Sequence, residues 1–142
     1  MVNVANAGSQ FRSRDYYPDA VVGIAYGEKR FIGEDIPVAE IPDAPENRIG
    51  FIDGYGNLKT TLRHRRCRIP VGTKVRVSVN TVVHEGVVAD ETYKVKDGDV
   101  SFAPGSTGGD DRFMEIWVRG DSAWRAFVKP RVEQEFTVEP VK

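Results

Sequence analysis

Residues 74–79 alternate Lys74, Arg76 and Ser78 with Val75, Val77 and Val79. Side chains two apart share one face of an extended backbone, so the run reads as a half-buried β-strand rather than a helix. Further short runs follow at 49–52, 82–88, 93–95, 100–102, 113–118 and 136–138, punctuated by Gly72, Gly86 and Gly98. Many short strands at this spacing predict a small sandwich or barrel. The 142 residues suffice for one compact domain, and 40% hydrophobic with 29% charged residues allows a packed core.

The chain ahead of the strands has a different grammar. Residues 1–10 are small and polar and read as a loose arm. Pro18 suits a first helical turn and Asp19 its positive end, Val21, Val22, Ile24 and Ala25 supply an apolar stripe, and Gly27 marks a stop. A helix is therefore expected over 19–26. Pro37, Pro42 and Pro45 make 31–45 an extended connector. Residues 121–127 predict one or two helical turns capped by Asp121. The expected class is mainly β, a small β-barrel domain preceded by a short helix and a proline-rich linker. The expected division is 1–46 for arm, helix and linker and 47–142 for the barrel.

Charge and composition narrow the chemistry. A net charge of −1 gives no global attraction to nucleic acid or an anionic membrane. The single Cys67 excludes an internal disulfide and a CxxC metal site. Without a membrane-length apolar run or a signal-peptide plan, the expected location is cytoplasmic. The run Arg63-His64-Arg65-Arg66-Cys67-Arg68 could meet phosphate, but without interleaved aromatics it reads better as a solvated strand end. His64 and His84 lack metal-ligand spacing, so no metal site is expected. Residues 105–109 (Gly-Ser-Thr-Gly-Gly) lack the lysine and following helix of a phosphate loop and read as a hairpin tip. Trp117 and Trp124 read as core or interface residues.

The segment Ile52-Asp53-Gly54-Tyr55-Gly56-Asn57-Leu58 holds the densest candidate chemistry. Two glycines permit positive φ or close approach, while Asp53, Tyr55 and Asn57 bring together an acceptor, a ring face and an amide. That set suits a heteroaromatic ligand carrying an amino group. The competing reading is a hairpin turn with no ligand.

Several segments in order resemble the S-adenosyl-L-methionine hydroxide adenosyltransferases and their relative, the fluorinase. Residues 52–62 are similar to the family's Ile-Asp-x-Phe-Gly-Asn-Leu-x-Thr-Asn-Ile motif. Tyr93 before Asp97-Gly98, then Gly105-Ser106-Thr107-Gly108, then Met114-Glu115-Ile116-Trp117-Val118-Arg119-Gly120 follow in the family's order. Upstream, Phe11-Arg12-Ser13-Arg14-Asp15-Tyr16-Tyr17-Pro18 resembles the end of the family's N-terminal domain, with one residue fewer before the proline. The resemblance implies a truncated homologue, namely a C-terminal barrel with only the last part of an N-terminal domain.

The resemblance further implies an adenosyl pocket formed by Asp53, Tyr55, Asn57, Tyr93, Ser106 and Arg119. Asp53 would accept from the methionine amino group, Ser106 would hold the methionine end, and Asn57 would face adenine. Arg119 replaces a family asparagine, Thr107 an arginine of the fluorinase, and Trp117 and Trp124 replace alanines. The family's ribose-holding and water-positioning residues lie in the domain not represented, and Arg12 stands in place of a histidine. No catalytic residue is therefore expected, and no cofactor beyond S-adenosyl-L-methionine or adenosine as ligand. Three functions stay open. The barrel could contribute half of an adenosyl pocket, as a homo-oligomer or beside a separate N-terminal domain. It could be an interaction or scaffold protein that has lost the ligand site. Completed by a partner domain, it could be a hydrolase forming adenosine and methionine.

Overall fold

The computed structural model describes residues 10–91 and 93–142; residues 1–9, expected as a loose arm, Thr92 and the Arg12 side chain lie outside what it describes. Contacts within the chain divide it into residues 1–43 and 44–142. In the first unit, α1 spans Arg12–Asp15 and α2 spans Tyr17–Ala25, with Pro18 in its first turn and Asp19 beside its positive end. Gly27 follows at φ +80°, the left-handed geometry that closes a helix.

Of the apolar stripe expected on α2, Val21 and Val22 are exposed. Ala20 and Gly23 face inward. The reason is steric: a Cβ on Gly23 would lie 2.2 Å from the Phe31 ring, so the small residues make room for that phenyl. Phe31 also meets Tyr16 edge-on, with centroids 6.1 Å apart. A short 3-10 turn at Lys29–Phe31 leads into the connector expected as extended over 31–45, and a second at Val38–Glu40 interrupts it.

The second unit is mainly β. Its strands are β1 (Ile49–Ile52), β2 (Leu58–Arg63), β3 (Lys74–Val79), β4 (Val82–Val88), β5 (Val100–Pro104), β6 (Phe113–Val118) and β7 (Phe136–Pro140). They form one sheet ordered β1-β2-β6-β5-β4-β3-β7. Every pairing is antiparallel except β4 with β5. The sheet curls into a half-barrel, and its two edges meet where Arg48 bridges Glu135 and the Ile49 N–H donates to Gln134 O at 2.9 Å. Leu58, Val75, Val77, Val79, Phe102, Met114, Ile116 and Phe127 fill the concave side. This is the β class that the alternating runs predict.

Residues 93–95 are not a strand. Parallel pairing of β4 with β5 requires a crossover, and residues 89–91 and 93–99 belong to it. The carbonyls a strand would have paired are bonded otherwise: Arg119 Nη1 donates to Tyr93 O and Val95 O, both at 2.6 Å. A short helix, α3, spans Ala123–Ala126, and its N-cap is Ser122 rather than the expected Asp121. Ser122 Oγ accepts from the Arg125 N–H at 3.3 Å.

Candidate functional site

The turn between β1 and β2 is organised by one carboxylate. Asp53 Oδ1 accepts the N–H groups of Tyr55 and Asn57, each at 3.0 Å, and Oδ2 accepts from Asn57 Nδ2 at 2.9 Å. Partial burial raises the Asp53 pKa, but the Asn57 amide, the two backbone donors and the Lys59 charge outweigh it. The carboxyl is held below its ordinary range. Gly56 adopts φ +87° and packs where a Cβ would lie 2.0 Å from Ser122 Oγ. Its carbonyl accepts the Trp124 N–H at 2.8 Å, which docks the turn on α3.

Asp53, Tyr55, Asn57, Tyr93, Ser106 and Arg119 all line one cleft of about 750 Å³. They come from the β1–β2 turn, the crossover, the β5–β6 hairpin and the end of β6. The Tyr55 and Tyr93 rings stand at its rim, 86% and 71% exposed. Not every group is free. The Asn57 amide is committed to Asp53, and Arg119, besides holding the crossover carbonyls, pairs with Asp97 at 2.8 Å. Ser106 sits at the tip of the glycine-containing hairpin expected at 105–109.

Three further residues matter that the sequence reading did not single out as a site. Lys59 and Trp117 line the same cleft, and both bond to Glu115 behind them. Lys59 Nζ lies 2.6 Å from Glu115 Oε1, and Trp117 Nε1 donates to Oε2 at 3.0 Å. Glu115 is fully buried. Its place is made by Gly105, whose missing Cβ would lie 1.7 Å from Oε1. The available signal was a lone carboxylate flanked by apolar residues in Met114-Glu115-Ile116, with a lysine as its cross-strand partner. On α3's side of the cleft, Asp121 pairs with Arg125 at 2.7 Å. The Ser122 N–H and the Arg125 guanidinium hold the Asp121 carboxyl below its usual range.

The remaining candidates lie elsewhere. His84 Nε2 is 3.0 Å from Ala126 O and its ring packs edge-on against Phe127. Arg63 donates to Gly108 O and Asp111 O and lies 3.8 Å from the Phe113 centroid, while Arg66 pairs with Glu46. The basic run thus ties β2 to the β5–β6 hairpin. Trp124 Nε1 donates to Pro130 O at 3.0 Å, a packing role beside the cleft. Among the described residues no cluster of three or more His, Cys, Asp or Glu is arranged for a metal, and no helix is long and apolar enough to cross a membrane.

No family model matches the chain, and no curated protein does. Solved structures do share its fold. It is similar to an uncharacterized conserved protein from Thermotoga maritima at TM-score 0.70 and 18% identity, covering 94% of this chain and 54% of that one. It is also similar to a conserved hypothetical protein from Thermus thermophilus at TM-score 0.60 and 24% identity, covering 89% and 52% respectively. At these identities the likeness is one of fold, and the chain spans about half the length of both proteins.

Proposed function

We propose that the β unit is a binding module for an adenosyl-type small molecule, contributing one side of a pocket that a second chain completes. The observation that supports this best is the convergence of six residues from four separate segments on one cleft. A polar floor with two exposed tyrosines at its rim suits a ligand with a flat ring and a polar tail. The module does not turn its ligand over alone. Both cleft carboxylates, Asp53 and Asp121, are held below their usual range and are therefore weak bases. Neither histidine lines the cleft. A scaffold reading is favoured by the self-contained Asp53–Asn57 pair, which leaves the turn satisfied without a ligand.

Calorimetry with S-adenosyl-L-methionine and adenosine separates the two. On the binding reading, Asp53→Asn can keep the acceptor of the two backbone N–H groups, replaces the acceptor of the Asn57 amide with an NH2 group, and removes the charge that would meet a ligand ammonium. It weakens binding of S-adenosyl-L-methionine by about 1.5–3 kcal/mol and leaves that of adenosine, which has no amino-acid end, nearly unchanged. If neither compound binds at millimolar concentration, the scaffold reading replaces this one.

A further inference from the structure

We infer that Lys59 and Trp117, rather than the Asn57 carboxamide, recognise the planar part of the cleft's ligand, and that this part is a heteroaromatic ring with a neutral acceptor on its edge. The inference rests on the binding reading above and names the ligand chemistry of that same cleft. Asn57 is a poor candidate on its own geometry. It is nearly buried, and both its backbone N–H and its Nδ2 serve Asp53. Turning the amide toward a ligand would strand a carboxylate oxygen.

Lys59 presents the opposite situation. Its side chain is only 15% exposed, yet it lines the cleft. An ammonium carries three donors. One goes to Glu115 Oε1, and among the described residues no other acceptor is bonded to it. A largely desolvated cation with free donors requires acceptors from whatever fills the cleft. Its position is fixed from behind. Glu115 is buried, bonded at its second oxygen to Trp117, and seated against Gly105, where no Cβ intervenes.

Charge decides which acceptor fits. Glu115 already neutralises Lys59, so an anionic group reaching the ammonium would also feel the carboxylate at nearly the same range. A neutral acceptor, such as a ring nitrogen, gains the hydrogen bond without that repulsion. Trp117 lies beside Lys59 in the cleft, and Tyr93 meets it edge-on with centroids 6.3 Å apart. These are aromatic surfaces on which a flat ring packs. A purine meets both requirements.

The experiment is a titration of the full chain with adenosine and its 1-, 3- and 7-deaza analogues, read by calorimetry and tryptophan fluorescence. Adenosine should quench the emission, and Trp117→Phe should abolish the quench while changing affinity only a few-fold. At least one deaza analogue should bind the wild type about tenfold more weakly. Lys59→Met alone would leave Glu115 buried and uncompensated, so Lys59→Met/Glu115→Gln is the informative variant. It should lose about tenfold for adenosine and no longer discriminate against that analogue. Should the double variant fail to fold, the deaza series and Trp117→Phe on the intact pair decide alone. Adenosine binding without analogue discrimination or Trp117 quenching overturns the inference and leaves the binding module standing. Failure of adenosine, S-adenosyl-L-methionine and every analogue at millimolar concentration overturns both.

Discussion

Gly54 and Gly56 flank Tyr55 symmetrically in sequence, but alanine at the two positions should have opposite effects. A Cβ at Gly54 meets open space, and Gly54 is not among the positive-φ glycines. Gly54→Ala therefore acts mainly on the unfolded chain and should be neutral or stabilise by about 0.4–1 kcal/mol. Gly56 is held at φ +87°, where an L side chain costs about 1–2 kcal/mol. Its new methyl would also lie 2.0 Å from Ser122 Oγ and 3.3 Å from Trp124 Cβ, and forcing that overlap costs about 1–3 kcal/mol more. Gly56→Ala should thus destabilise by about 2–5 kcal/mol. Urea unfolding measures both, and native-state hydrogen exchange adds a local readout at the Trp124 amide, which donates to Gly56 O. Two variants within about 1 kcal/mol of each other would refute the claim that the turn is clamped on α3.

Other substitutions test other joints. Ser101 Oγ is buried without a hydrogen-bond partner among the described residues, so Ser101→Ala should be neutral or stabilise by about 1 kcal/mol in urea unfolding; a clear loss would mean that the hydroxyl is bonded in solution. Gly105→Ala drives a methyl into Glu115 and should cost at least about 1–3 kcal/mol with a change in Trp117 emission; an unchanged spectrum would count against the packed carboxylate. The Asp53 carboxyl is depressed from 3.8 on folding, so its contribution to stability is present above about pH 4 and lost as the pH falls through the folded value. Stability measured from pH 6 to pH 2 should accordingly fall less steeply for Asp53→Asn than for wild type, and identical slopes would contradict the assigned bonds.

The fold was legible where period 2 was unbroken. Val75, Val77 and Val79 are all buried on one side of β3, as their alternation requires. Legibility failed where a segment's local pattern was overruled from a distance. Tyr93 and Val95 look strand-like, but a parallel β4–β5 pair needs a crossover there, and a single arginine 26 residues from Tyr93 takes their carbonyls. Val21 and Val22 look like a buried stripe, but the Phe31 ring selects the small Ala20 and Gly23 for the inside. Of the candidate site, the six residues taken from motif order line one cleft. What each one bonds could not be named, because the Asp53–Asn57 pairing depends on local backbone geometry that composition does not reveal.

The cleft floor follows from the same periodicity that builds the core. On β6, Met114, Ile116 and Val118 belong to the concave core. The intervening Glu115 and Trp117 must then point to the other face, toward Lys59 on β2 and Ser101 on β5, their partners in register. An exposed sheet face would keep such residues solvated. Here β5 is buried at every position, so the convex side is covered over β5 and β6 as well. The crossover runs there, held to the end of β6 by Arg119, with Tyr93 against Trp117. A charged pair thereby becomes nearly desolvated without entering the apolar core. A buried pair of this kind gives little net stability, since desolvation offsets much of its Coulomb energy. Its clearest consequence is positional: it fixes one ammonium and one indole on strands that the core already holds rigid.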